Sequence, residues 1–445
     1  MDGQKNLDQF RATSDPVRGQ DKPLKQLPQK STEGTNSSYA CYALGLLATV
    51  NLLNYVDRTL IYILFAPIKK EMAFSDFELA LLGTTSFVIF FTLLGVPFGR
   101  LADRSSRKNL IAAGLAVWSI FSGLTGFATG FWSLFFCRVM VGVGEATLAP
   151  AALSLLGDYF PPQKRATVQS IYASGITVGS GLAFFLGGWI GFKYGWRPAF
   201  LFLGFPGLLF AVLVFLLKEQ NRGRTETIAP KYTSEDWKLL FQLRPLRYHF
   251  AGYSFFALAA SSLSIWGPTF FTRVHGYNIA TLGIVAGLTS LTFGIPGTVL
   301  GGYLADRLRR TGRGGRMRVA AIAALFAVPF WIALLFSYSV PLLLVSQAIL
   351  LSLSLIWIAP SMADVHEMAG PHLRGLGAGV FLCVVMIAAY GIGSPLIGKL
   401  NDLFGAATNP GVMRYGFLVS PFSCILAAIF LWRGGKVLEK YRESA

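Results

Sequence analysis

The sequence predicts an all-α membrane protein of twelve spans, folded as two pseudo-symmetric six-helix bundles, and three observations predict it. Apolar runs of twenty or more residues recur from about residue 38 to residue 433, each long enough to cross a bilayer as a helix. Only 14% of the 445 residues are charged, where a soluble chain carries about a quarter. Short motifs of the first half return in the second at offsets of 203 to 210 residues. A transmembrane barrel would show short segments of alternating polarity instead, and these runs do not alternate.

The first 38 residues are polar, contain no apolar stretch and read as a disordered tail, not a signal peptide. Spans are then expected at 39–66, 77–100, 109–128, 131–156, 166–190, 198–217, 246–272, 280–304, 318–338, 340–362, 374–398 and 413–433. This order gives a tail at 1–38, an N-terminal bundle at 39–217, a basic linker at 218–245, a C-terminal bundle at 246–433 and a second tail at 434–445.

Lys and Arg set the orientation. With residues at span edges counted in the adjoining loop, 30 lie on the side of both termini, 7 on the other side and 2 inside spans. The positive-inside rule therefore puts both termini in the cytoplasm. The same bias accounts for the net charge of +17 without nucleic acid. Cys41, Cys137, Cys383 and Cys424 fall in or beside apolar spans. Their spacing suits neither zinc nor a disulfide framework, so no metal or cofactor is expected.

The halves echo each other three times. GRLADRSSRK, Gly99 to Lys108, follows span 2, and GYLADRLRR, Gly302 to Arg310, follows span 8. GDYFPPQKRA, with Asp158 and Arg165, is matched by ADVHEMAGPHLRG, with Asp364 and Arg374. Gly181, Gly188 and Gly195 are matched by Gly391, Gly398 and Gly405. Gly99 and Gly302 are expected to let spans 2 and 8 approach a neighbour closely. Asp103, Arg104, Arg107, Asp158 and Arg165, with Asp306, Arg307, Asp364 and Arg374, are expected to form a cytoplasmic latch. Its carboxylates would accept from guanidinium groups and helix N-termini, and it would open in the other conformation.

GRLADRSSRK and its second copy resemble the signature loop of the major facilitator superfamily. Within that superfamily, NYVDRTLI, GVGEATLAPAALSLLGDYFPP and GWRPAFLFLGFPGLL resemble the spinster family, and less closely the anion:cation symporters. The resemblance covers about residues 40 to 435. It implies a bacterial homologue in the inner membrane, expected as a monomer, working by alternating access. It also implies the cargo, sphingolipid phosphates or lysophospholipids, with proton linkage in some members.

Four ionisable residues lie deep in the expected bilayer, Asp57 and Arg58 in span 1 and Arg138 and Glu145 in span 4. They sum to zero, and buried membrane charges usually mark function. At a rise of 1.5 Å per residue, Asp57 lies about 13 Å and Arg138 about 10 Å from the outer edge, so a pair between them is geometrically reasonable. Glu145, seven residues past Arg138, shares its helix face, and both are expected to line a central cavity. Adjacent helical residues diverge by about 100°, so Asp57 and Arg58 face different neighbours. Asp57 and Glu145 are assigned to proton coupling, and Arg58 and Arg138 to the head group of an anion. The alternative is a static quartet that only joins spans 1 and 4.

The C-terminal half has no matching charge. Ser261 and Trp266 in span 7, and Thr289 and Phe293 in span 8, are its candidate substrate contacts. One charged wall and one apolar-aromatic wall suit an amphipathic anion. The expected function is secondary transport of an anionic lipid, lysophospholipid-like or sphingosine-phosphate-like, with protons as the candidate coupling ion. A small organic anion such as a sugar acid is the alternative. An enzyme is not expected, because it would want a nucleophile–His pair or a metal cluster within the membrane. His249, His275, His366 and His372 read instead as solvated or interfacial.

Overall fold

The structure, a computed structural model, describes residues 37–219, 234–310 and 315–444. Among these, twelve helices are long and apolar enough to cross a membrane. Spans 1 to 6 are Ser38–Ile63, Asp76–Arg104, Arg107–Phe127, Phe131–Tyr159, Thr167–Tyr194 and Trp196–Phe215. Spans 7 to 12 are Arg244–His275, Ile279–Ala305, Gly315–Phe336, Val340–Gly370, Leu373–Leu403 and Pro410–Lys440. Each overlaps its expected range, and no strand occurs among the described residues. Most of the expected tail at 1–38 and the linker residues 220–233 lie outside the described residues. The described part of the linker contains a helix, Ser234–Gln242, whose Leu240 is buried. The last helix runs Val419–Ser444, so residues expected as a tail continue span 12.

Local sequence explains two matched breaks within spans. Within span 4, helix Phe131–Glu145 gives way to Leu148–Tyr159. Within span 10, helix Val340–Leu355 stops and a new helix begins at Ile358. Pro150 and Pro360 stand just past the two breaks, 210 residues apart. A proline cannot donate to the carbonyl four residues back and collides with it. Those carbonyls belong to Ala146 and Ile356, where each helix breaks.

The repeated glycines also take matching places. Gly195 and Gly405 follow the ends of spans 5 and 11 at φ 91° and 75°, conformations that cost glycine nothing. A Cβ on Gly188 would stand 2.7 Å from the Ile279 carbonyl oxygen of span 8. One on Gly398 would stand 2.6 Å from the Asp76 carbonyl oxygen of span 2. Spans 5 and 8, and spans 11 and 2, therefore join the halves backbone to backbone. Gly99 and Gly302 do not serve this purpose. A Cβ on either meets nothing within 4 Å, so the expected close approach there is not found.

Candidate transport site and the contacts that join the halves

Spans 1, 3 and 4 meet at buried charges. Arg58 donates from Nε at 3.2 Å and from Nη2 at 2.8 Å to one oxygen of Glu145. The two side chains are 10% and 0% exposed, so the pair is charge-assisted and almost dry. Asp57 is buried and accepts from Ser122 Oγ of span 3 at 2.7 Å. The sequence neighbours thus address different helices, as their angular divergence requires. The Asp57–Arg138 pair does not form, and no ion pair joins these residues among those described. Depth along two helices was legible, but rotation about their axes was not. Rotation gave Glu145 to Arg58 and left Arg138 aside.

Arg138 is fully buried, and its Nε, Nη1 and Nη2 have no hydrogen-bond partner among the described residues. It lies within electrostatic reach of Glu145 and Asp57. The Phe87 ring of span 2 stands 5.8 Å from its guanidinium carbon and 4.5 Å from that of Arg58. Tyr55 at 4.9 Å and Phe91 at 4.8 Å complete an aromatic surround for Arg58. Arg138 and Glu145 were expected to line a cavity. Both are instead closed over by side chains, with Phe87 packed against Arg138.

The C-terminal candidates are dispersed. Trp266 is fully buried, donates at 3.2 Å to the carbonyl oxygen and Oγ of Ser394, and packs 5.5 Å from Phe65. It joins the halves and offers no open surface. Ser261 spends its hydroxyl on the Leu258 carbonyl at 3.1 Å. Thr289 donates to the Val285 carbonyl and lines a cavity of about 40 Å³ with Leu263, Leu282 and Gln347. Phe293 is 44% exposed. His249, expected to be solvated, is fully buried among aromatic rings of spans 7 and 11.

At the Lys- and Arg-rich end, each described ion pair stays within one half. Arg107 at the start of span 3 pairs with Asp158 at the end of span 4, and with Glu219 at 2.9 Å. Glu219 also accepts from Ser106 Oγ at 2.8 Å and from the Lys108 amide at 3.1 Å. Burial opposes ionisation of Glu219, but these bonds and the Arg107 charge outweigh it and hold its carboxyl below the usual glutamate range. Arg316 at the start of span 9 repeats Arg107, standing 3.4 Å from Asp364 and 3.1 Å from Glu367. Arg165 donates to the Gly157 carbonyl at 3.2 Å, and Arg374 to the His366 carbonyl at 3.3 Å. Asp103, Arg104 and Arg307 are exposed, and none forms an ion pair with another described residue. The Asp306 side chain lies outside the described residues. The expected latch resolves into two clusters, one per half, and Arg316 was missed because it lies outside the G-x-L-A-D-R echo.

Hydrogen bonds between the halves gather at the opposite end. Asp76 opens span 2, is fully buried, and accepts from Arg273 Nη1 of span 7 at 2.8 and 2.9 Å, and from Lys69. Asp402 of span 11 accepts from the Asp76 and Phe77 amides, each at 2.8 Å. A carboxylate of one half thus caps a helix N-terminus of the other, where donors and dipole favour an anion. Asp76, Arg273 and Asp402 were not anticipated. Half the signal was present, since Ser75 and Glu78 are a capping box that marks the helix start. The other half was not, because Asp402 is 326 residues away from Asp76.

Comparison with known proteins fits this architecture. The Major Facilitator Superfamily profile matches residues 47–389. Protein spinster homolog 3 of Danio rerio is 30% identical over 94% of this chain and 89% of its own length. The hexuronate transporter of Bacillus subtilis is 26% identical over 63% of this chain and 69% of its own length. A solved bacterial homologue of the human lysosomal transporter spinster, inward-facing and unoccupied, superposes with a TM-score of 0.76. It is 24% identical and covers 91% of this chain and 97% of that one. The chain is a multi-pass membrane protein of the Major Facilitator Superfamily and belongs to its spinster family of transporters.

Proposed function

We propose that the protein moves an amphipathic anion, a lysophospholipid or a sphingosine-phosphate-like molecule, by alternating access, with protons exchanged at Asp57 and Glu145. The observation that carries this reading is Arg138, a buried cation whose donors meet no acceptor among the described residues. A buried unpaired charge is costly, and the oxygens of an anionic head group would offset that cost. Glu145 is already committed to Arg58. Protonating Glu145 loosens that pair and frees a second cation for the same head group. Asp57 accepts from the Ser122 hydroxyl, which can donate to a carboxylate or accept from a carboxylic acid, so that contact accommodates either protonation state. The C-terminal half, which has no charge matching the quartet, suits the apolar tail. Its candidate contacts are Ser261, Trp266, Thr289 and Phe293. The sealed end opposite the basic loops, like the inward-facing relative, supports a conformation open toward the termini. The Lys and Arg bias supports cytoplasmic termini in a bacterial inner membrane.

A second reading rests on the hexuronate transporter among the relatives: a sugar acid would place its carboxylate at the same Arg138. Reconstituted liposomes separate the two. Labelled lysophospholipid is expected to cross, faster under a pH gradient. Hexuronate flux with no lysolipid flux under any gradient overturns the lipid reading. Asp57→Asn is expected to abolish the response to the gradient. Undiminished coupling would leave Asp57 as part of a static quartet.

A further inference from the structure

The N-terminal half buries a cation with unmet donors, and the C-terminal half buries a neutral group with a similar deficit. His249 of span 7 has Nε2 3.1 Å from the Ser361 carbonyl oxygen of span 10. A carbonyl only accepts, so Nε2 carries the ring proton and Nδ1 presents a lone pair. That nitrogen, the Tyr253 hydroxyl and the Trp357 indole N–H have no hydrogen-bond partner among the described residues. His249 and Tyr253 are fully buried. Their rings pack at 4.5 Å, Tyr253 and Trp357 at 5.7 Å, and Phe381 of span 11 lies 4.9 Å from His249.

The register and the ring contacts bring these three side chains to one seam. His249 and Tyr253 are four residues apart on one face of span 7, and Trp357 and Ser361 are four apart on span 10. The set comprises one acceptor, one donor and one group that is both. An anion would confront the Nδ1 lone pair and a cation would confront the indole N–H. A small neutral molecule that both donates and accepts fits all three. We propose that spans 7 and 10 enclose a hydration site, in which buried water bridges His249 Nδ1, the Tyr253 hydroxyl and the Trp357 N–H. Buried waters characteristically make about three such bonds. The site lies in the other half from the charged quartet. Tyr253 is within electrostatic reach of the Arg316–Asp364 pair, so the water stands behind the C-terminal ion cluster.

Tyr253→Phe in the full-length protein tests this, because a wet and a dry site respond with opposite sign. A wet site loses a water-mediated bond, and the melting temperature is expected to fall by about 2–4 °C. A dry site is relieved of an unmet hydroxyl, so an unchanged or raised melting temperature overturns the proposal. Radiolytic hydroxyl labelling reads hydration independently of stability. Relative to the unfolded chain, Tyr253 is expected to be labelled several-fold more than Phe256 and Phe270, which are as deeply buried. Equal protection of all three likewise overturns the site.

Discussion

The two six-helix halves share a scaffold and differ in what they bury at its middle. Arg107 with Asp158 recurs as Arg316 with Asp364, and Pro150 recurs as Pro360. At the same 210-residue offset, however, Arg138 corresponds to Ala348 and Glu145 to Leu355. Midway along its spans one half closes over charges, while the other places neutral and aromatic groups there and keeps its buried Arg316–Asp364 pair at the basic end. What repeats is what shapes helices: a break, a cap, an ion pair tying the start of one span to the end of the next. The quartet has no counterpart in the other half, which supports the proposal that it serves transport and not the shared scaffold.

The largest expected effect separates two members of the quartet. Glu145→Leu, which installs the residue found at the matching C-terminal position, leaves Arg58 buried and unpaired. It should destabilise by about 3–5 kcal/mol, seen as a lowered melting temperature. Arg138→Met removes a charge that has no hydrogen-bond partner among the described residues. It should leave the melting temperature unchanged or raised while abolishing flux in liposomes. If both substitutions destabilise alike, Arg138 is paired after all and the contrast between the halves is weaker than drawn.

The next effect concerns the joint between the halves. Asp402→Ala uncaps span 2 without touching either interior, at a cost of about 1 kcal/mol. That shifts the balance between conformations several-fold. Labelling of a cysteine introduced beside Phe77 should rise accordingly. Unchanged labelling would mean that glycine packing, and not the cap, holds this end.

The smallest effect lies at the basic end of the N-terminal half. The Glu219 carboxyl is held below its usual range, so its contribution is complete above that range and lost as pH falls through the folded value. Glu219→Gln should therefore lower the melting temperature at neutral pH and narrow its further loss between neutral and acidic buffer. Parallel melting curves across that range would show that Arg107 is held by Asp158 alone.

The candidate site was partly legible. The four charges of the quartet stood out, because a charge within an apolar run needs no structure to be noticed. Their pairing did not, since Arg58 and Glu145 are 87 residues apart. The aromatic surround was hidden for another reason: Phe87 and Phe91 look like any lipid-facing phenylalanine until span 2 is placed. His249 misled because it lies near the start of its span, where solvent was assumed and helix packing supplied burial instead.

The sequence by itself determined the twelve spans and their division into halves, and it accounts for the two matched breaks and the glycine ends of spans 5 and 11 once these are seen. Each depends on interactions within a few residues: hydrophobic length, a proline against the carbonyl four back, a glycine at positive φ. Tertiary structure alone decided which charges meet, which end the halves seal and which polar atoms are left without partners. Those outcomes depend on how each helix is rotated about its axis and how one bundle rests on the other, and residues 326 apart in the chain carry no local trace of that.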